Sequence, residues 1–235
     1  MSIKRFIFCA LDFSDIDETI QFLNIIKNEV GGIKLGLEFF SKNGLNGIKR
    51  LKKFNLPIFL DLKLHDIPNT VKKTLLNIID LEPNFLTIHL SGGKKMIEEV
   101  TAIKNQTKII GVSMLTSLDK NDLCALGINI SENEYVHRLV NLGLQSGIDG
   151  VVCSPNEVKE LKVKYSNTDL FFVTPGIRLE NDKIDDQKRL LSPGLAIKYG
   201  SSMLVIGRPI TKSPDPVKSI NNIKKDILRY FESKN

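Results

Sequence analysis

Eight short apolar runs, each followed by a stretch with helical spacing, constrain this chain more than any other feature in it. Residues 6–12 read as a strand that ends in an acid, Asp12. Ser14 is then expected to cap a helix to about residue 29, with Ile16, Ile20, Leu23, Ile26 and Val30 at helical spacing. A short strand at 32–36 leads into a helix to about 54, broken near Asn43-Gly44. A central strand from Ile58 and its helix run to about 81, and a strand at 85–89 is followed by a helix opened by Gly92-Gly93. The alternation goes on with a strand at 108–114 and, after a longer connection, a helix at 133–146. A strand at 150–153 precedes a helix that Pro155 starts, one at 170–174 precedes a short helix at 192–199, and one at 203–206 precedes the closing helix at 215–232. Short connections between such units are what right-handed parallel crossovers require. Eight units in 235 residues predict an α/β chain folded as one closed (β/α)8 TIM barrel, a single domain over 1–235. An open doubly wound sheet would want a glycine-rich turn after the first strand, and FIFCALDFSD has no glycine.

Composition agrees with a cored globular domain, since 42% of the residues are hydrophobic. The N-terminus runs straight into FIFCALD without the pattern of a signal peptide, and no apolar run is long enough to span a membrane. Cys9, Cys124 and Cys153 are odd in number and far apart, which suggests reduced, buried thiols and a cytoplasmic protein. The net charge of +6 could serve a nucleic acid, a membrane surface or an anionic metabolite. The lysines are scattered over helical stretches and not interleaved with aromatics, so a solvated surface accounts for most of the excess and no nucleic-acid partner is expected.

Chemistry concentrates in residues 58–70, IFLDLKLHDIPNT. Strand periodicity puts Asp61 and Lys63 on one face and Leu60, Leu62 and Leu64 on the other. Asp66 falls just beyond, and Pro68 suits a first helical turn, where a missing N–H costs nothing. A salt-bridged strand end on a solvated edge is the plain reading. The leucine face argues for burial instead, and buried charges are kept when paired or used. In a barrel the active site forms at the C-terminal strand ends. There the other strands bring Asp12, Lys34, His89, Thr116, Pro175, Arg178, Gly207 and Arg208. The polar stretch from Pro175 to Lys188 has the length of a lid. Gly207-Arg208-Pro209 offers a backbone N–H and a guanidinium to a phosphate, as barrels often do after strands seven and eight.

With these residues in view, Asp61-x-Lys63-x-x-Asp66-Ile67-Pro68-x-Thr70 resembles the signature of the orotidine 5′-phosphate decarboxylases. Ala10-Leu11-Asp12, Lys34-Leu35-Gly36, Ser91-Gly92-Gly93, Leu115-Thr116-Ser117, the run from Val173 to Arg178 and the run from Val205 to Pro209 resemble the same family in the same order. The resemblance implies decarboxylation of orotidine 5′-phosphate to uridine 5′-phosphate, with no metal and no organic cofactor. It implies Lys63 as proton donor to C6, within a charged array of Lys34, Asp61, Lys63 and Asp66. It implies Asp12 and Lys34 on the ribose and Thr116 on the pyrimidine. Gln187, Gly207 and Arg208 would hold the phosphate, with Arg178 on the closing loop and Ile67 and Pro175 lining the substrate. It also implies a homodimer in which Asp66 and Thr70 complete the partner's site.

Other polar residues have plainer readings. His89 reads as a hydrogen-bonded barrel histidine, His65 as facing outward, His137 as a surface residue on a helix. Asp119, Asp122, Asp185 and Asp186 read as loop solvation and capping. Scattered histidines without a Cys-x-x-Cys argue against a metal site. Two alternatives stay open at this point: a metal-dependent sugar-phosphate decarboxylase or synthase on the same barrel, and a basic nucleic-acid-binding protein.

Overall fold

The computed structural model describes residues 2–178 and 191–232. Its strands are β1 (Ile7–Ala10), β2 (Gly32–Gly36), β3 (Ile58–Leu64), β4 (Phe85–His89), β5 (Lys108–Val112), β6 (Gly150–Val152), β7 (Phe171–Thr174) and β8 (Met203–Ile206). They pair in sequence order, all parallel, and β8 closes on β1 through Ile7↔Leu204 to Cys9↔Ile206. Helices α1 (Ile16–Ile26), α2 (Leu37–Lys52), α3 (Pro68–Ile79) and α4 (Lys94–Thr101) follow the first four strands. Then come α5 (Lys120–Ala125), α6 (Glu132–Gln145), α7 (Pro155–Lys164), α8 (Pro193–Tyr199), α9 (Arg208–Thr211) and α10 (Pro216–Glu232). The expected (β/α)8 barrel is therefore the observed one.

Strand parity divides the core in two. Ile7, Cys9, Ile33, Leu35, Ile58, Leu60, Leu86 and Ile88 point outward and pack under the helices. Phe8, Ala10, Phe59, Ile110, Val173, Met203 and Val205 point inward and fill the barrel. Phe85 plugs the interior, its ring 5.7 Å from that of Phe8, 6.0 Å from Phe59 and 5.4 Å from Phe171. Such close-packed aromatic filling makes the lower barrel a solid core and leaves room only at the top.

Several local expectations are corrected. The N-cap of α1 is Asp15, whose Oδ1 accepts from the N–H groups of Asp17 and Glu18, both at 2.8 Å. A carboxylate there satisfies two orphan donors and also meets the positive helix end, while Ser14 Oγ donates to Glu38 instead. α1 ends at Ile26 rather than near residue 29, and β5 ends at Val112 rather than at 114. The connection after β5 contains α5, capped by a reciprocal Asp119–Asp122 box. α2 kinks at Gly44, where φ is +54°, a conformation glycine adopts without strain. Cys9 and Cys153 are buried free thiols, and burial pushes both up from the usual thiol range, but Cys124 is exposed. His137 is a largely buried residue on α6, 11% exposed in its side chain, with Nε2 2.8 Å from Glu160 Oε1. Asp185 and Asp186 lie outside the described residues.

Candidate active site

The inward face that carries Phe8 and Phe59 at mid-barrel carries charge one step higher. In β2, Lys34 pairs with Ala10 on one side and Phe59 on the other, and Gly36 stands opposite Asp61. The Lys34 ammonium lies 3.0 Å from Asp12 Oδ1 and 3.7 Å from Asp61 Oδ2. The Lys63 ammonium lies 2.9 Å from Asp61 Oδ1. Asp12, Lys34, Asp61 and Lys63 thus form a chain of alternating charge across the ends of three adjacent strands. Lys34 is nearly buried, at 8% exposure, and two flanking carboxylates are the compensation such a cation requires. Gly36 makes the pairing possible, because a Cβ at that position would come within 2.9 Å of Lys34 Nζ and 3.2 Å of Asp12 Oδ1.

β3 does not stay regular to its end. Leu60 pairs with Leu86 and Leu64 with Ile88, so three residues of β3 face the single residue Thr87 of β4. Within this bulge Lys63 takes φ +47°. Its backbone N–H donates to Thr87 Oγ1 at 2.8 Å, and Thr87 Oγ1 donates in turn to Asp61 Oδ1 at 3.1 Å. Thr87 is fully buried.

The charged residues open onto a cleft of about 290 Å³ at the C-terminal end of the barrel, near the lower bound for a small-molecule site. Its floor is apolar, including Phe59, Met114, Val152 and Val205. Its wall includes Thr116, Pro175, Arg178, Gly207 and Arg208. Arg208 opens α9 directly after β8, with Gly207 at its N-cap; Pro209 in that turn has no N–H, and Gly207 O accepts from the Ile210 and Thr211 N–H groups. Arg178 is nearly buried. Its guanidinium donates to Ile177 O at 2.8 Å, and its backbone N–H donates to Leu191 O at 3.1 Å.

Nine sequence-predicted residues therefore line one cleft: Asp12, Lys34, Asp61, Lys63, Thr116, Pro175, Arg178, Gly207 and Arg208. Three others lie apart from it. Asp66, Ile67 and Thr70 are exposed at the start of α3, and Asp66 Oδ1 accepts from the Ile67 N–H at 2.6 Å. Gln187, like the stretch 179–190 expected to form a lid, lies outside the described residues. His89 is half-buried beside β4's end, its ring 5.4 Å from that of His65. Burial, then His65 and Lys63, lower its pKa from the ordinary histidine value. His65 is exposed. Sequence reasoning missed Thr87 and the apolar floor. Parity on β4 would have put Thr87 inward beside Phe85, but nothing local announces its hydroxyl's partners. Among the described residues no group of three His, Cys, Asp or Glu side chains is placed to hold a metal ion.

Comparison with known proteins shows the family. The model of the "Orotidine 5'-phosphate decarboxylase / HUMPS family" matches residues 5–223. An orotidine 5'-phosphate decarboxylase of Sphingopyxis alaskensis is 46% identical over 211 residues, covering 89% of this chain and 93% of that protein. One from Ehrlichia chaffeensis is 45% identical over 225 residues, covering 95% and 97%. The crystal structure of orotidine 5'-phosphate decarboxylase from Lactobacillus acidophilus superposes with a TM-score of 0.81 at 34% identity, over 94% of this chain and 98% of that one. A match of this extent makes this chain a member of the orotidine 5′-phosphate decarboxylase / HUMPS family.

Proposed function

We propose that this protein is a carboxy-lyase that converts orotidine 5′-phosphate to uridine 5′-phosphate and CO₂, the closing step of pyrimidine nucleotide synthesis. The observation that carries the reading is the alternating array Asp12–Lys34–Asp61–Lys63 over an apolar floor. The bond from C6 to the carboxylate breaks, and its electron pair stays on C6. That pair has no conjugated sink, so the site itself must stabilise it. Lys63 meets both needs: its ammonium faces the developing charge and transfers its proton to C6. Asp61, held by Lys34 and Lys63, would sit close to the departing carboxylate. Two carboxylates about 4 Å apart repel by roughly 4 kcal/mol at an effective dielectric of 20, and the repulsion is relieved as CO₂ leaves.

The remaining roles rest on the family resemblance and on the chemistry of each residue. Asp12 and Lys34 hold the ribose hydroxyls, and Thr116 meets the pyrimidine edge. Gly207 and Arg208 take the phosphate, the guanidinium by paired charge-assisted hydrogen bonds, with Arg178, Gln187 and Pro175 completing a phosphate-binding loop. Binding energy from this remote phosphate helps to organise the charged residues at the reacting carbon. The exposed Asp66, Ile67 and Thr70 serve a two-fold partner: in a homodimer, each chain's Asp66 and Thr70 complete the other's array. Chemistry at this site uses no metal and no cofactor. No described helix is long and apolar enough to cross a membrane. The assignment to the cytoplasm rests on the proposed place of the reaction in nucleotide synthesis. The reading is tested by the ultraviolet absorbance of orotidine 5′-phosphate incubated with purified protein and excess EDTA. Conversion to uridine 5′-phosphate supports it. Turnover only of a sugar phosphate, and only with added metal, would move the protein to the other branch of the family.

A further inference from the structure

Thr87 is joined to both catalytic partners in β3 yet lies behind them, out of the cleft lining. A bulge with two surplus residues removes the regular ladder between Leu60 and Leu64. Within it, the Lys63 N–H and the Asp61 carboxylate are both met by one buried hydroxyl. A threonine hydroxyl has a single proton. With that proton aimed at Asp61 Oδ1, its lone pairs face the Lys63 N–H, so the two bonds fix each other's direction. Lys63 also has a positive φ, a conformation that persists in a non-glycine residue only where its surroundings hold it.

We propose that Thr87 is the positioning residue of the site: its hydroxyl pins the β3 bulge and so aims the Lys63 ammonium at Asp61 and at the reacting carbon. This rests on the assignment of Lys63 as proton donor. Thr87 does not touch substrate in this account, and it acts on the chemical step through the placement of Lys63. A misplacement of about 1 Å can cost on the order of a hundredfold in rate.

The test compares Thr87→Val, which replaces the hydroxyl by a methyl of similar size, with Thr87→Ser, which keeps it, and with Thr87→Cys, which keeps a weak donor. Steady-state kinetics with orotidine 5′-phosphate are expected to show kcat down about a hundredfold in Thr87→Val, with KM within about threefold of wild type. Thr87→Ser is expected to stay within about fivefold of wild type in kcat, and Thr87→Cys to fall between. A valine variant that folds with unchanged kcat overturns the proposal. So does a serine variant as slow as the valine one, or a loss shared equally by all three and matched by lost folded protein. A crystal structure of Thr87→Val supplies a readout independent of substrate identity: Lys63 Nζ should leave its 2.9 Å contact with Asp61. If wild type fails to act on orotidine 5′-phosphate, the functional reading falls, while the crystallographic arm still decides whether Thr87 sets the position of Lys63.

Discussion

Asp66 and Thr70 lie on the exposed start of α3, apart from the cleft that holds Lys63. That separation gives the shared-site proposal a numerical consequence. Lys63→Ala and Asp66→Ala homodimers should each be inactive, the first through loss of the proton donor, the second through loss of a carboxylate given to the partner. Equal amounts are mixed and allowed to exchange subunits. Random exchange makes half of the dimers heterodimers, as two-fold symmetry requires. In each heterodimer the Lys63→Ala chain's own cleft also receives the defective Asp66, and the other cleft has both residues intact. One good site in two, in half of the dimers, restores about a quarter of wild-type activity. The assay is turnover of orotidine 5′-phosphate, with exchange verified separately by mass-tagged subunits. Had Asp66 served its own barrel, every site would keep one defect. Demonstrated exchange with no regained activity would therefore refute the sharing and the catalytic need for a dimer.

Lys63→Ala alone should lower kcat by about 10⁴-fold or more, because it removes both a general acid and the nearest positive charge. Lys63→Arg should fail comparably, since a guanidinium does not give up its proton near neutral pH; single-turnover rates check both. Arg208→Ala should lower kcat/KM by about tenfold to a hundredfold, from the loss of charge-assisted bonds worth about 1.5–3 kcal/mol. Initial rates over a wide substrate range would record it, and an unchanged kcat/KM would remove Arg208 from the phosphate site. His89 predicts an acid limb in stability. Its folded-state pKa is lowered by burial, then by His65 and Lys63, so the unfolded chain takes up a proton first as pH falls through about 6.5. Stability present above that pH is lost as the pH drops toward the folded-state value. Denaturant midpoints of wild type and His89→Gln from pH 8 to 5 should converge on the acid side relative to their difference at pH 8; parallel curves would contradict the linkage.

The barrel could be read from the chain because its signals are local. Apolar runs of strand length, Pro68 and Pro155 at helix starts and the break at Gly44 each act within a few residues. The alternation in residues 58–64 gave the right faces: the leucines lie under the helices and Asp61 and Lys63 look into the barrel mouth. What sequence reasoning could not supply depends on partners far along the chain. A lysine at φ +47° makes sense only with Thr87, 24 residues later, to receive its N–H. Asp15 displaced Ser14 as cap because two donors converge on its carboxylate while Ser14 found Glu38. His137 is covered because Glu160 and Tyr165, from and just beyond α7, pack against it. Ile67 and Thr70 carry no local mark of a partner subunit; their role rests on resemblance and on exposure at the barrel rim.

The most direct measurement uses orotidine 5′-phosphate labelled with ¹³C at its carboxylate, followed by NMR in excess EDTA with wild type and Lys63→Ala side by side. Wild type should release the label as CO₂ and bicarbonate, one for each uridine 5′-phosphate formed, while the variant leaves the label on the substrate over the same interval. Label retained by wild type, or released equally by both proteins, would contradict this expectation.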